Sequence, residues 1–224
     1  PVEYDMDHVQ QIQANPKKNL TFANGLRSIV RQDPNVIMVG EIRDEETAGI
    51  AISAAMTGHV LLSTLHANDA PTAFPRLMEL HVEPFLVASA LNLIVAVRLV
   101  RKICAQCKTE YRLSPEEIKL FDHEKKLLAY LLEYGKQTDI TQIPFYKGIG
   151  CAACGMTGYK SRIGIMEVLE VTNELRPLIT QKSSADVIAT QAVKDGMVVL
   201  LGDGAMKIIK GETTLSEVIR TTST

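Results

Sequence analysis

The sequence predicts an α/β fold with a parallel-containing sheet, followed by a cysteine-bearing insert and a small C-terminal helical bundle. The sheet is predicted by two short apolar runs, Val36–Val39 and residues 60–65, each followed by polar residues and then a helix-forming segment. Fully apolar runs of this length are typical of buried parallel strands. The insert is predicted by two C-x-x-C motifs that enclose 43 residues.

Composition sets ordinary bounds on the chain. Its 224 residues are 46% hydrophobic and 22% charged, as expected for a globular chain with one core and a satellite domain. A net charge of -2 argues against nucleic acid as the main partner. The apolar run 85–97 contains Asn92 and is shorter than the ~20 residues of a membrane span, so a buried helix is expected there. No segment marks export, and we expect a cytoplasmic location.

The first elements are expected to be a strand and a helix. Residues 9–13 alternate as a strand does. Thr21 can cap a helix from Phe22 to about Arg31, because Asp33-Pro34 then forces a turn into the first apolar strand.

Two strand–helix units follow. After the first apolar strand, Asp44 is a natural N-cap for an alanine-rich helix that Gly58 ends. After the second, Pro71 is expected in the first turn of the next helix. A third helix is expected from Glu83 to about Lys102, since this segment is apolar on nearly every face.

The remainder is expected to be mostly helical. A capping box spans Ser114 to Glu117, and residues 125–133 have a helix-like pattern. A strand is expected over residues 162–170, with three short helices after it that begin near Asn173, Ser184 and Thr214. The expected domains are therefore residues 1–103, 104–160 and 161–224.

Four cysteines form the clearest chemical motif: Cys104, Cys107, Cys151 and Cys154. Each pair can bind a metal ion through two thiolates, and four thiolates satisfy tetrahedral zinc without an open position. The alternatives are redox-active or free thiols, and two disulfides, which a reducing cytoplasm disfavours. We favour a structural zinc that closes the segment between the motifs and performs no chemistry.

Two polar side chains at the expected strand ends are candidates for chemistry. Neighbouring parallel strands end at one edge of a sheet, where α/β proteins bind ligands, so Glu41 and His66 are expected to lie together. Glu41 could instead cap the next helix, but Asp44 already fills that position. His66 could be a buried structural histidine. The functional interpretation is a carboxylate that orients a water beside magnesium, and a histidine that senses a γ-phosphate.

Arginines could complete such a site. Arg27 and Arg31 are four residues apart on one predicted helix, and this spacing directs both toward the same edge. Arg43 and Arg76 are further candidates. Each of the four could equally be a solvated surface residue.

In order along the chain, these motifs resemble one known family. Residues 31–44, RQDPNVIMVGEIRD, look like the Walker B signature of the secretion ATPases that drive type II secretion and type IV pilus assembly. Residues 58–70, GHVLLSTLHANDA, resemble their histidine box, and residues 1–4, PVEY, resemble the tail of their aspartate box. The likeness continues through the paired cysteines to the last helix, so it covers essentially the whole chain.

The resemblance implies a RecA-like ATPase core, a zinc-binding insert and a helical domain. It implies Glu41 as the Walker B glutamate, with His66 and Arg43 as its catalytic partners. It also implies roles in nucleotide binding or subunit coupling for Glu3, Arg27, Arg31 and Arg76.

The resemblance further implies ATP, magnesium and zinc as cofactors and a hexameric ring of full-length chains. Implied partners are an inner-membrane platform protein and cytoplasmic adaptors, with no direct contact to nucleic acid. The location would then be cytoplasmic and peripheral at the inner membrane.

No G-x-x-x-x-G-K-[ST] loop occurs in the 224 residues. We therefore expect the chain to be the C-terminal part of a longer ATPase and to be inactive alone, because the phosphates would lack their cradle. Two alternatives remain open: a zinc-stabilised docking module, and a DNA-uptake or DNA-transfer motor of the same superfamily. Exposure of Glu41 and His66 at an open edge would favour a motor, and burial of both would favour a docking module.

Overall fold

Ten α-helices, five short 3-10 helices and six strands lie within residues 2–222, the part of the chain that the computed structural model describes. Pro1, the first residue of the expected aspartate-box tail, lies outside them. In chain order the elements are α1 (Phe22–Ile29), β1 (Val36–Val39), α2 (Glu45–Met56), β2 (Val60–Ser63), α3 (Ala73–Glu79), α4 (Pro84–Ala90), β3 (Leu93–Ile103), β4 (Lys108–Tyr111), α5 (Pro115–Lys119), α6 (Lys125–Gly135), β5 (Phe145–Gly148), β6 (Tyr159–Glu170), α7 (Leu175–Thr180), α8 (Ala185–Lys194), α9 (Leu200–Ile209) and α10 (Leu215–Thr222).

The chain divides into two compact units, each built from separate stretches of sequence. The first runs to Ile94 and resumes at Leu169–Asp195, whereas the second comprises Val95–Val168 and the chain from Gly196 onward. In the second unit α9 and α10 share one apolar core with the insert. The three domains expected over residues 1–103, 104–160 and 161–224 stay a prediction.

The first unit is organised by a parallel pair of strands. β1 pairs with β2 in the register Val36↔Val60 to Val39↔Ser63. On one face Ile37 and Val39 are buried, whereas Val36 and Met38 are exposed, so the described residues cover only one side of this sheet. The predicted strand–helix–strand order is confirmed, including the Thr21 cap of α1, whose side chain accepts a hydrogen bond from Asn24 N.

The long apolar helix expected from Glu83 to about Lys102 is wrong. The helix is α4, which ends at Ala90, and the chain continues as the strand β3. Val95 and Val97 are exposed while Val100 is buried, and this two-residue alternation is that of a strand. The segment is also rich in β-branched residues, which lose side-chain freedom in a helix and favour extended backbone.

The strand expected over residues 9–13 is also absent from the described part of the chain. The only pairing nearby is an isolated bridge between Asn15 and Leu20. Gln11 instead donates a side-chain hydrogen bond to Tyr4 O. Apolar and polar alternation alone does not make a strand, because a strand also requires a partner for its backbone groups.

The second unit has a core made by the insert and the two last helices. Phe145 of β5 and Leu131 of α6 are fully buried against Ile208 and Val218. The helix α9 was missed by the sequence prediction because glycines at positions 202 and 204 lower helix propensity. A Cβ at Gly204 would lie 2.6 Å from Val218 Cγ1, so this glycine permits the close packing of α10.

Other expected elements are confirmed. The capping box at Ser114 and Glu117 forms in both directions, the helix after residue 124 is α6, and the strand before residue 170 is β6. The helix expected to open at Pro71 begins two residues later, at Ala73. Within residues 2–222, no helix combines the length and the apolarity needed to cross a membrane.

A buried carboxylate connects β3 to α10. The side chain of Glu217 is 1% exposed and accepts hydrogen bonds from Arg101 N (2.8 Å) and from the guanidinium groups of Arg101 and Arg220. The Arg101 guanidinium also lies 4.1 Å from the ring centre of Tyr159. Burial raises the pKa of Glu217, but the hydrogen bonds from Arg220 and Arg101 outweigh this effect and lower it to about 2.

We predict that Glu217→Gln lowers the free energy of unfolding at pH 7 by about 1–3 kcal/mol, a range reduced because both arginines are half exposed. The pKa is lower in the folded state than its ordinary value of 4.5. The stabilisation is therefore complete above about pH 5 and is lost as the pH falls toward 2. Urea denaturation at pH 7 and pH 3 measures the difference, which should shrink at pH 3. A matched control is Glu133→Gln at an exposed position of α6, and equal losses in both variants would contradict the prediction.

Candidate active site and metal centre

Backbone pairing continues past the ends of β1 and β2. The amide of Ile42 donates to Thr64 O at 3.1 Å, and Thr64 Oγ1 donates to Gly40 O at 2.6 Å. Glu41 lies between these two tied residues. The chain therefore holds the residue after β1 at a fixed position beside the end of β2.

The predicted meeting of Glu41, Arg43 and His66 is present. Glu41 Oε2 lies 2.6 Å from Arg43 Nε and 3.6 Å from His66 Nε2. The Glu41 side chain is 19% exposed, whereas those of Arg43 and His66 are 66% and 79% exposed. Exposed ion pairs contribute about 0–1 kcal/mol, so this group does little for stability. It is a carboxylate at an open sheet edge with a cation and an imidazole beside it.

The helix after Glu41 has its own cap. Asp44 Oδ1 accepts a hydrogen bond from Thr47 N at 2.8 Å, and Asp44 Oδ2 accepts one from Thr47 Oγ1 at 3.0 Å. The alternative in which Glu41 caps α2 is therefore wrong. Because His66 is largely exposed, its interpretation as a buried structural histidine is wrong as well.

The other expected site residues have different neighbours. Arg27 pairs with Glu46 at 2.5 Å, and Arg76 pairs with Glu79 at 2.6 Å. Glu3 and Arg31 are exposed. The helix α1 ends at Ile29, so Arg31 lies in a following 3-10 turn and the expected α-helical spacing from Arg27 does not hold.

Thr64 was not singled out by sequence reasoning. Its hydroxyl and carbonyl make the two hydrogen bonds that tie the chain on either side of Glu41. The available signal was its place directly after an apolar strand and two residues before His66.

The four cysteines form one cluster. All four sulfur atoms lie within 4.8 Å of one another, and Cys104, Cys107 and Cys154 are buried. The Sγ atoms of Cys104 and Cys151 are 3.9 Å apart, as are those of Cys107 and Cys154, and those of Cys151 and Cys154 are 3.7 Å apart. A tetrahedral ion with metal–sulfur bonds of about 2.3 Å requires sulfurs about 3.8 Å apart. The cluster thus has the dimensions to hold one metal ion.

The backbone brings the two motifs together. β4 begins directly after Cys107, and its antiparallel pairing with β5 in the register Lys108↔Gly148 brings the second motif to the first. A Cβ at Gly148 would lie 2.0 Å from Gly158 O, so the chain approaches itself there as only glycine allows. Gly158 O in turn accepts a hydrogen bond from Cys104 N at 3.0 Å.

Amide groups near the cluster favour a thiolate. Cys154 Sγ accepts hydrogen bonds from Cys151 N at 3.2 Å and from Gly158 N at 3.3 Å. Burial raises the pKa of Cys154, but these two amide donors outweigh that effect and lower it. A thiolate is the form that binds metal, and such donors are typical of the surroundings of metal ligands.

Comparison with known families gives one match over nearly the whole chain. A family model described as type II/IV secretion system protein matches residues 1–220. The type IV pilus assembly ATPase PilB of Thermus thermophilus is 45% identical over 222 residues, which are 99% of this chain and 24% of that protein. The type II secretion system ATPase E of Vibrio cholerae is 42% identical over 228 residues, and this match covers 99% of this chain and 41% of that protein. The chain thus spans less than half the length of these relatives.

Solved structures give the same fold. The ATPase DotB of Legionella pneumophila has a TM-score of 0.60 at 21% identity, with 97% of this chain and 48% of that chain covered. The pilus retraction motor PilT with bound ADP has a TM-score of 0.57 at 21% identity, with 89% of this chain and 43% of that chain covered. These likenesses confirm the predicted RecA-like α/β fold.

The geometry predicts that Glu41 and Asp44 differ in what they do for the fold. Asp44→Ala should cost about 1 kcal/mol of stability, because α2 loses its cap. Glu41→Gln should change stability by less than about 0.5 kcal/mol, because the partners it would lose, Arg43 and His66, are mostly exposed. Urea denaturation of both variants measures this. A loss in Glu41→Gln as large as in Asp44→Ala would show that Glu41 is structural.

Proposed function

The chain belongs to the type II/IV secretion system protein family, and on that premise we propose that it is the C-terminal part of an ATPase that powers type II secretion or type IV pilus assembly. The observation that carries the proposal is the position of Glu41 beside His66, at the ends of two adjacent parallel strands. Such strand ends are where α/β proteins bind ligands. An exposed edge group favours a motor over a docking module, which has no need of it.

We assign Glu41 as the general base or orienting group for the attacking water. Its side chain is 19% exposed at the sheet edge, and the hydrogen bonds of Thr64 hold the backbone on either side of it. Arg43 Nε lies 2.6 Å from the carboxylate, and this charged contact can hold Glu41 in one orientation. His66, at 3.6 Å from the same oxygen, is placed to sense a phosphate group bound at this edge.

ATP and magnesium would bind at the same edge in the whole protein. The magnesium ion would neutralise phosphate charge there. Glu3, Arg27, Arg31 and Arg76 are proposed to contact nucleotide or a neighbouring subunit. For Arg27 and Arg76 this requires exchange of the carboxylate partners Glu46 and Glu79 for phosphate, at little cost because both pairs are exposed.

We assign zinc as the ion of the four-cysteine cluster. Four sulfur ligands at tetrahedral spacing suit zinc and leave no position for a reacting water. Bound zinc would supply structure only, by closing the 43-residue segment between Cys107 and Cys151. In a small domain such an ion contributes folding free energy directly.

The proposed setting is a hexameric ring on the cytoplasmic side of the inner membrane. Platform and adaptor proteins of the secretion or pilus machine would be the partners, and direct contact with nucleic acid is not expected at a net charge of -2. The relatives of known name serve both type II secretion and type IV pili, so both roles stay within the proposal. The same residues would serve a DNA-uptake or DNA-transfer motor of the same superfamily.

The hydrolysis role is tested in the whole protein. We expect Glu41→Gln to lower ATP turnover by about 10²–10⁴-fold, the usual contribution of a positioned acid–base group, without loss of folded protein. Glu116→Gln, at an exposed position of α5, is the matched control and should turn over normally. The 224-residue chain alone should show no turnover, because it lacks a phosphate loop. Metal-dependent turnover by the chain alone, abolished by Glu41→Gln, would contradict the prediction that the chain alone is inactive.

The metal assignment is tested separately. Elemental analysis of chain purified under reducing conditions should give close to one zinc per chain. Cys104→Ser together with Cys151→Ser should abolish zinc binding and lower the melting temperature, because the β4–β5 pairing loses its closure. Met156→Ala, an exposed change in the same loop, should keep the zinc. A zinc content far below one per chain in the unaltered protein would refute the assignment.

A further inference from the structure

Positive charge is concentrated in the segments that surround the cysteine cluster. No Asp or Glu occurs in residues 84–109 or 140–166, in a chain whose net charge is -2. The same segments contain these lysines and arginines: Arg98, Arg101, Lys102, Lys108, Lys147, Lys160 and Arg162. The mean charge of the chain therefore hides a strongly basic region in the second unit.

Several of these cations already have partners. Arg101 binds Glu217, Lys108 lies 4.2 Å from the ring centre of Tyr146, and Lys147 lies 4.6 Å from that of Tyr111. Each of these three side chains therefore interacts with another residue of the fold.

Three others are not used in this way. Lys102, Lys160 and Arg162 are exposed, and none of their side chains forms an ion pair, a hydrogen bond or a ring contact with any residue among 2–222. All three line a single surface cavity of about 290 Å³, together with Ser161. None of the described residues that line it is acidic. Like charges repel, so three cations that converge on one hollow without an acidic residue indicate a site for an anion.

The backbone helps to bring these side chains together. In a regular strand, successive side chains point to opposite faces. Ser161 has φ +70°, a left-handed conformation that residues other than glycine, asparagine and aspartate rarely adopt, and Lys160, Ser161 and Arg162 are all exposed. The irregularity lets three consecutive residues line the same cavity. Strained backbone of this kind is often retained where a ligand is bound.

We propose that this cavity, which we call the Lys102–Arg162 site, binds a phosphate group. An arginine fork beside two lysines and a hydroxyl matches the charge and the hydrogen-bond acceptors of phosphate. The cavity is at the lower end of the roughly 300–1,000 Å³ of small-molecule pockets, so it suits a phosphate or diphosphate group rather than a whole nucleotide. The phosphate can be free or carried by the headgroup of a lipid. The proposal does not depend on the assignment of Glu41.

The test uses the 224-residue chain loaded with zinc. Inorganic pyrophosphate is titrated by calorimetry at low salt, and in parallel the chain is sedimented with phosphatidylcholine vesicles that do or do not contain phosphatidylglycerol. Lys160→Gln together with Arg162→Gln should weaken binding tenfold or more. The matched control, Lys125→Gln together with Lys126→Gln, removes two exposed charges from α6 in the same unit and should change binding less than twofold.

Zinc content and melting temperature confirm that each variant is folded. Arg162→Lys keeps the charge but removes the fork, and an intermediate loss is expected. Binding of pyrophosphate identifies a free phosphate as the ligand. Binding of the phosphatidylglycerol vesicles alone identifies a lipid headgroup. Either result supports the site if the Lys160 and Arg162 changes abolish binding and the α6 changes do not. Absence of binding to both probes overturns the proposal. So does an equal loss in the α6 control, since that would mean a diffuse attraction to positive charge.

Discussion

The parallel register of β1 and β2 is the constraint from which the candidate active site follows. Once Val39 lies opposite Ser63, the next residues of both strands must emerge at the same edge, and Glu41 and His66 meet there. A slip of one residue would turn Glu41 to the other face of the sheet and separate the pair. The hydrogen bonds of Thr64 extend this register beyond the last strand residues, so they protect the site where the ladder would otherwise fray.

The cysteine cluster depends on an analogous constraint in the second unit. Two motifs separated by 43 residues meet only because β4 and β5 start and end next to them. The approach of Gly148 to Gly158 then sets how near the two loops can lie. A metal ion bound there would therefore add closure to an arrangement that backbone pairing already favours.

The sequence predicted those features that rest on local chemistry. The apolar strands, the Asp44 cap, the capping box and the paired cysteines each depend on residues close together in the chain, and all were found. The errors arose where long-range packing decides the outcome. β3 is as apolar as a buried helix, but its β-branched residues and its pairing with β6 make it a strand. In α9 two glycines lower helix propensity, but one of them, Gly204, permits the close approach of Val218 of α10. The partners of Arg27 and Arg76 likewise depend on neighbouring helices that spacing alone does not locate.

Charge shows most clearly why a local description is needed. The balance of 24 basic and 26 acidic residues is near neutral, and from it one expects little attraction to anions. Screening in water acts over about 8–10 Å, so a ligand experiences only the charges close to it. Near Glu41 the chain places Asp44, Glu45 and Glu46 at the start of α2, whereas Lys102, Lys160 and Arg162 face one hollow without an acid. The low net charge therefore places no limit on a local basic region or on a single anion site.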